Sequence, residues 1–273
     1  EMAKMKGEAS SVKEYEEKAA EINNLIQTEL WNKDSIFFEA LRAPGEFALV
    51  REAVGYIPWY FNLPDQKDEY AQSWKQVTDP KGFLAPYGLT TAERRHPLFR
   101  SHGCCNCEWD GAVWPFATSQ TLTAMANVLN NYKQDVVNDS IYFRHMELYV
   151  ESQYHRGRPY IGEYLDEVTG YWLKGDQERS RYYNHSTFND LIISGLIGLR
   201  PRADQILEVN PLLPKDKWDW FCLDNVPYHG KMITIVWDKT GDKYKRGKGF
   251  YVMVDGKIVA KSDNLTKLTY KMQ

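Results

Sequence analysis

Nowhere in this sequence does an apolar run approach the roughly 18 consecutive positions that a membrane-crossing helix needs, so no membrane partner is expected. An excess of one charge is equally missing: 34 Lys and Arg face 37 Asp and Glu, leaving a net −3 over 273 residues. Nucleic-acid binders usually carry a basic excess, so no nucleic-acid partner is expected either. Cysteine is down to four, with Cys104, Cys105 and Cys107 crowded together and Cys222 far away, which is not the spacing of a disulfide framework. The chain also lacks GxGxxG, GxxxxGK[ST], HExxH and GxSxG. The usual marks of nucleotide binding, zincin proteolysis and α/β-hydrolase chemistry are therefore absent, and no cofactor is expected. It opens at Glu1 without a basic and apolar leader, which leaves the compartment open; a periplasmic or extracellular place is favoured if a leader has been removed.

What is present in excess is aromatic. Trp, Tyr and Phe make up 14% of the chain, more than a plain core requires. Flat rings with a polar handle serve either a deep core or a surface that binds sugar rings or bases.

Periodicity gives a coarse organisation. Ser11-Val12-Lys13-Glu14 has the form of a capping box, and Val12, Tyr15, Ala19, Ile22, Ile26 and Leu30 then recur at helical steps. An extended piece at 35–41 and helical patterns at about 47–60 and 65–77 follow. Residues 79–110 resist any period, and a long irregular segment in a compact domain is usually functional. Pro115, a good first-turn residue, opens another helix, and Asn138 or Asp139 can cap the next, to about 154. A second irregular stretch, 156–183, leads to a short apolar helix at 186–199. After Pro201 the runs are short and β-like, at 206–213, 218–223, 232–238, 250–254 and 257–260, with Asp255-Gly256 as a two-residue hairpin signal. Helices followed by strands, without alternation, argue for two segregated domains. The boundary is placed near Pro201, giving 1–200 and 201–273. Long helices separated by aromatic-rich loops suit an α/α toroid; a helical bundle of unrelated design would also give helices, though usually with shorter loops.

Four clusters can carry chemistry. Cys107 to Pro115 sets Trp109 and Trp114 around Asp110 at a helix start, either a sugar platform with an acceptor at its edge or two rings packed beneath the helix with a capping carboxylate. Glu163, Asp166 and Glu167 lie within five residues, flanked by Tyr164, Tyr171 and Trp172. Glycoside hydrolysis needs a pair of carboxyl groups with aromatics to hold the sugar, whereas the plainer reading is a solvated acidic turn. Asn184 and His185 stand at the start of the apolar helix, as donors to a ligand hydroxyl or as a polar cap. Cys104 and Cys107 have CxxC spacing, but no second CxxC or HxxxH completes a tetrahedral site. Buried thiols are the simpler reading, and no metal is assigned.

Taken in order, Trp109-Asp110-Gly111-Ala112-Val113-Trp114-Pro115, Gly162-Glu163-Tyr164 with Thr169-Gly170, and Asn184-His185-Ser186 resemble the last loops of six-hairpin, (α/α)6-toroid glycoside hydrolases. The likeness is to the group of mannosylglycerate hydrolase-like and glucosidase-I-like enzymes. Ile206 to Pro214 resembles the first strand of the β-domain that often follows such toroids. The resemblance implies a mainly α fold, a partial toroid followed by a small β-sandwich, and inverting hydrolysis of oligo- or polysaccharides. It makes Glu163 the general base, with Trp109, Asp110 and Trp114 lining a sugar subsite. Tyr164, Trp172, Asn184 and His185 join them as substrate-binding candidates. In that family the general acid, an Asp, lies on an earlier hairpin some two hundred residues before the base, and only 162 residues precede Glu163. The chain is thus expected to be the C-terminal part of a larger enzyme, with the N-terminal half of that enzyme as a partner beside the carbohydrate substrate. Two other readings stand next to it: a carbohydrate-binding or structural fragment, and a zinc-thiolate glycosidase in which Cys104 or Cys105 attacks the sugar.

Overall fold

A computed structural model describes residues 2–101, 107–183 and 187–272, and the chain divides into two compact units, Glu1–Ser186 and Thr187–Gln273. The mainly α toroid expected from the sequence does not form. Among the described residues only Ala9–Glu29, Pro115–Asn131 and Asp139–Ser152 are helices longer than six residues, and strands are spread over six small antiparallel sheets. The apolar periodicity at 47–60 shows why. Glu46–Phe47 pairs with Leu41–Ala43 as a hairpin, Ala53–Tyr56 is a 3-10 turn, and only Ile57–Tyr60 is α-helical. Gly55 is pressed so closely onto the Phe37–Phe38 strand that a Cβ there would collide with the Phe38 carbonyl and the Phe37 ring. The apolar residues of this segment recur because they meet an aromatic core, not because they share a helix face. Tyr56 lies 4.3 Å from Trp74 and 5.1 Å from Phe37, and Trp31 4.5 Å from Tyr70, between ring centroids.

The first long helix starts at Ala9, ahead of the expected capping box, and Glu8 before it makes no side-chain cap. None of its residues is buried; Ile22, Ile26 and Leu30 instead line one wall of an apolar groove of about 360 Å³ opposite Val54, Pro58 and Phe61. Helix Pro115–Asn131 does begin on its proline. It is buried on nearly every side, and its Asn127 amide donates to the Trp59 and Tyr60 carbonyls at 3.1 and 2.8 Å. The following helix, Asp139–Ser152, is capped by Asn138, whose side chain accepts from the Ile141 amide at 3.0 Å.

In the second unit the expected apolar helix is reduced to Phe188–Asp190 and a π-helical turn, Leu191–Leu196. A three-stranded sheet joins Leu199–Arg200, Ile206–Val209 and Leu268–Lys271. A four-stranded meander runs through Trp220–Tyr228, Lys231–Asp238, Gly249–Val254 and Lys257–Ser262. Its last turn is Asp255-Gly256, both residues at positive φ (48° and 79°), as a tight hairpin of this kind requires.

Candidate active site

The site is assembled in the first unit where two irregular segments are stitched together. Val113 exchanges both backbone hydrogen bonds with Leu165 at 3.0 Å, and Leu165 also bridges Trp172, so the loop before the Pro115 helix and the acidic loop form one small patch of sheet. The first loop turns through Cys107 and Glu108, both at positive φ, and through Gly111, where a Cβ would strike the Phe99 ring. Thr91 fixes it by donating to the Trp109 carbonyl at 2.7 Å, and the Arg100 amide donates to the Asp110 carbonyl at 3.0 Å. Asp110 itself is partly exposed in this loop.

Pairing along the patch sets Trp114 opposite Tyr164, and the turn before it adds Trp109, so three rings form a ladder. Tyr164 stacks on Trp114 (4.6 Å, 9°) and Trp114 on Trp109 (4.3 Å, 19°). Burial falls along it: Tyr164 is 1% exposed, Trp114 5% and Trp109 45%. Of the two indoles expected to hold a sugar, Trp109 presents a face to solvent, with Phe116 edge-on beside it, and Trp114 is its support. Trp172 is buried, donating its indole N–H to the Tyr154 carbonyl at 2.8 Å, and so props the acidic loop from beneath. The buried Lys174 sets its ammonium 5.4 Å from the Tyr164 ring.

The three carboxylates of the acidic loop separate into two kinds. Asp166 folds the turn, accepting from the Val168 amide (3.0 Å) and from the Thr169 amide and hydroxyl (both 2.8 Å). Burial opposes its charge, yet those donors and Arg100 hold its carboxyl below the usual carboxylate range. Glu167 goes the other way, pushed up by burial and by Asp166. Arg100 gathers both: it lies 2.7 Å from buried Glu108, 3.4 Å from Glu167 and 3.6 Å from Asp166. Gly170, at φ 69°, closes the turn against the Tyr87 ring, where a side chain would collide. Glu163 stands outside this cluster. It is half-buried, makes no ion pair among the described residues, and accepts from the hydroxyl of buried Ser180 at 2.9 Å.

The spacing of the sequence does not point to Arg100, Glu108 or Ser180. Arg100 draws its partners from 8 and 66 to 67 residues away, inside a segment with no period to reveal them. Asn184 and His185 lie outside the described residues, as do Cys104, Cys105 and His102 on which a zinc-thiolate site would depend. Among the described residues no group of three or more His, Cys, Asp or Glu side chains is placed to hold a metal.

Residues 1–186 match the family model of the mannosylglycerate hydrolase MGH1-like glycoside hydrolase domain, and residues 199–260 that of the glycosyl hydrolase family 65 C-terminal domain. Among solved structures the chain is similar to one described as a sialidase, at 64% identity and a TM-score of 0.95, covering 98% of this chain and 25% of that one. The chain thus spans about a quarter of that relative's length. A GH63 mannosylglycerate hydrolase from Thermus thermophilus in complex with glucose is 20% identical with a TM-score of 0.40, over 52% of this chain and 32% of that one. An uncharacterized conserved protein from the same organism is 18% identical with a TM-score of 0.41, over the same shares.

Proposed function

The chain belongs to the MGH1-like glycoside hydrolase family, matched over residues 1–186, and from that membership we propose that it takes part in hydrolysing O-glycosidic bonds with inversion, Glu163 acting as the general base. The observation that carries this reading is the separation of the acidic loop into two kinds of carboxylate. Asp166 and Glu167 are tied to Arg100, whereas among the described residues Glu163 is held by one neutral hydroxyl and by no cation. A base that activates water needs a carboxylate whose charge is not already neutralised by a cation. Ser180 orients the side chain, and Trp109 offers a flat face on which the CH side of a sugar ring stacks. Asp110 is a proposed carboxylate contact for the same sugar, and Asn184 and His185 remain proposed donors to its hydroxyls.

Inversion requires a second carboxyl group roughly 6.5–9.5 Å from the base, leaving room for the attacking water. We assign that acid to another part of the same enzyme, so the N-terminal half is a proposed partner and the carbohydrate a shared ligand. Oligo- or polysaccharide degradation is the proposed process.

The test is substitution in a preparation that hydrolyses its substrate. Glu163→Gln keeps the shape and the Ser180 hydrogen bond but removes the basic oxygen. It is expected to lower kcat by at least about a hundredfold, within the range a general base contributes, while Tm stays within a degree or so of the parent. Turnover retained in the variant overturns the assignment.

A further inference from the structure

The second unit carries a concave surface that neither the family match nor the sugar-cleaving reading assigns. In its four-stranded meander the register sets Phe221, Trp237 and Phe250 side by side on one face, with Leu223, Ile235 and Val252 beside them. These bury. Alternation therefore sends Cys222, Val236 and Tyr251 to the other face, with Thr234 and Met253. The loop between the second and third strands, residues 239–248, borders that face. Its entry is fixed by buried Asp238, which accepts from the Gly241 and Tyr244 amides at 2.8 and 2.9 Å. The result is a groove of about 610 Å³ whose lining includes Cys222, Asp224, Thr234, Tyr244, Arg246 and Tyr251.

Two independent features say what chemistry would fill it. The first is Tyr251. The residue is 1% exposed, its hydroxyl is buried, and among the described residues it makes no hydrogen bond. A buried hydroxyl without a partner is destabilising, and an acceptor arriving in the groove would relieve that penalty. Burial and the charge of Asp238 push the phenol up, so the group is a donor at neutral pH.

The second is charge. Within 239–248 stand Lys239, Lys243, Lys245, Arg246 and Lys248 against Asp242, in a chain whose overall balance is negative. Lys239 pairs with Asp219, and Lys243 lies 3.8 Å over the Trp220 ring. Lys245, Arg246 and Lys248 make no ion pair among the described residues, and Arg246 lines the groove. Such an arrangement calls for an anion on the ligand. The groove is not basic throughout, however: Asp224, which accepts from the Thr234 hydroxyl at 2.5 Å, and Asp255 also line it. A nucleic-acid backbone, charged at every step, would meet those carboxylates. A sugar chain with one carboxylate per ring and hydroxyls elsewhere satisfies both ends of the groove.

We propose that this face of the second unit binds a carboxylate-bearing sugar chain, with Arg246 and the Tyr251 hydroxyl on a carboxylate and Asp224 on ring hydroxyls. The proposal does not depend on the role of Glu163. Its test is a titration of the full chain with a galacturonate oligomer, a neutral maltooligosaccharide of the same length and a single-stranded oligothymidylate, followed by calorimetry and by nitrogen-15 amide shifts. Saturable binding of the galacturonate oligomer is expected, with shifts in 220–256 and an affinity at least about tenfold above that for the neutral chain, the worth of one charge-assisted contact. Tyr251→Phe, which removes only the hydroxyl, is expected to weaken it by about tenfold, and Arg246→Gln by at least as much. Should the arginine variant fail to fold, the tyrosine variant decides. Absence of binding, binding unchanged by the substitutions, equal binding of the neutral chain, or binding of the oligothymidylate as tight as that of the galacturonate oligomer each overturns it.

Discussion

Three neighbouring carboxylates fall into two kinds of surroundings, and chemistry follows surroundings more than residue type. Asp166 is engaged in a turn, Glu167 with Arg100, and Glu163 with neither. The sequence discloses the acidic triplet and its aromatic flanks. It does not disclose the sorting, because Arg100 reaches the loop from 66 residues away. The same holds for the indoles: Trp109 and Trp114 are legible as a pair, but which is platform and which support depends on how deeply each is buried. Removing the platform is expected to cost affinity and little else. Trp109→Ala should weaken oligosaccharide binding about tenfold, the loss of one good ring contact, as measured by calorimetry. A residue-scale pH effect comes from His145. Burial lowers its pKa to about 4, below the ordinary value of 6.5. Between those two values the unfolded chain binds a proton that the native chain does not, so stability is full above pH 6.5 and falls as the pH drops toward 4. The loss amounts to about 3 kcal/mol. Thermal unfolding at pH 7 and pH 4.5 should show a smaller drop in Tm for His145→Gln than for the parent.

At the scale of elements, two of the three local start signals mark a helix start, whereas the Ser11–Glu14 box lies inside a helix that begins at Ala9. Pro115 and Asn138 mark helix starts by chemistry within one turn, and both helices begin there. The 47–60 pattern failed as a helix because its period is set by contacts with Phe37, Phe38 and Trp74, which no local rule includes. Asn138→Ala removes the side-chain acceptor that caps its helix and should destabilise the fold by about 1 kcal/mol, read from chemical denaturation. Arg100 matters more. Its side chain joins Glu108 of one loop to Asp166 and Glu167 of the other while its amide holds Asp110. Arg100→Met strands those carboxylates and should cost about 3 kcal/mol. Arg100→Lys, which restores charge without the fork, should recover part of it.

For the whole molecule, the division at Ser186 and Thr187 sets the family-matched portion, 1–186, apart from the β-rich remainder. The resemblance to sugar-cleaving enzymes is legible in three short motifs, whereas the architecture they imply is not, because the helical patterns at 47–60 and 65–77 form 3-10 turns, short helices and a hairpin around an aromatic core. An enzyme containing this portion is expected to release its sugar with the anomeric configuration opposite to that of the bond cleaved, which proton NMR of the first product resolves before mutarotation; retention would rule out Glu163 as the base of a single displacement. The ring ladder has a consequence of another kind. Indoles stacked at 4.3 Å couple their strong far-ultraviolet transitions, so Trp109 and Trp114 should give a paired band of opposite signs in far-ultraviolet circular dichroism. A sugar settling on the outer ring would perturb that band, giving the protein a built-in optical gauge of occupancy that needs no label and no turnover.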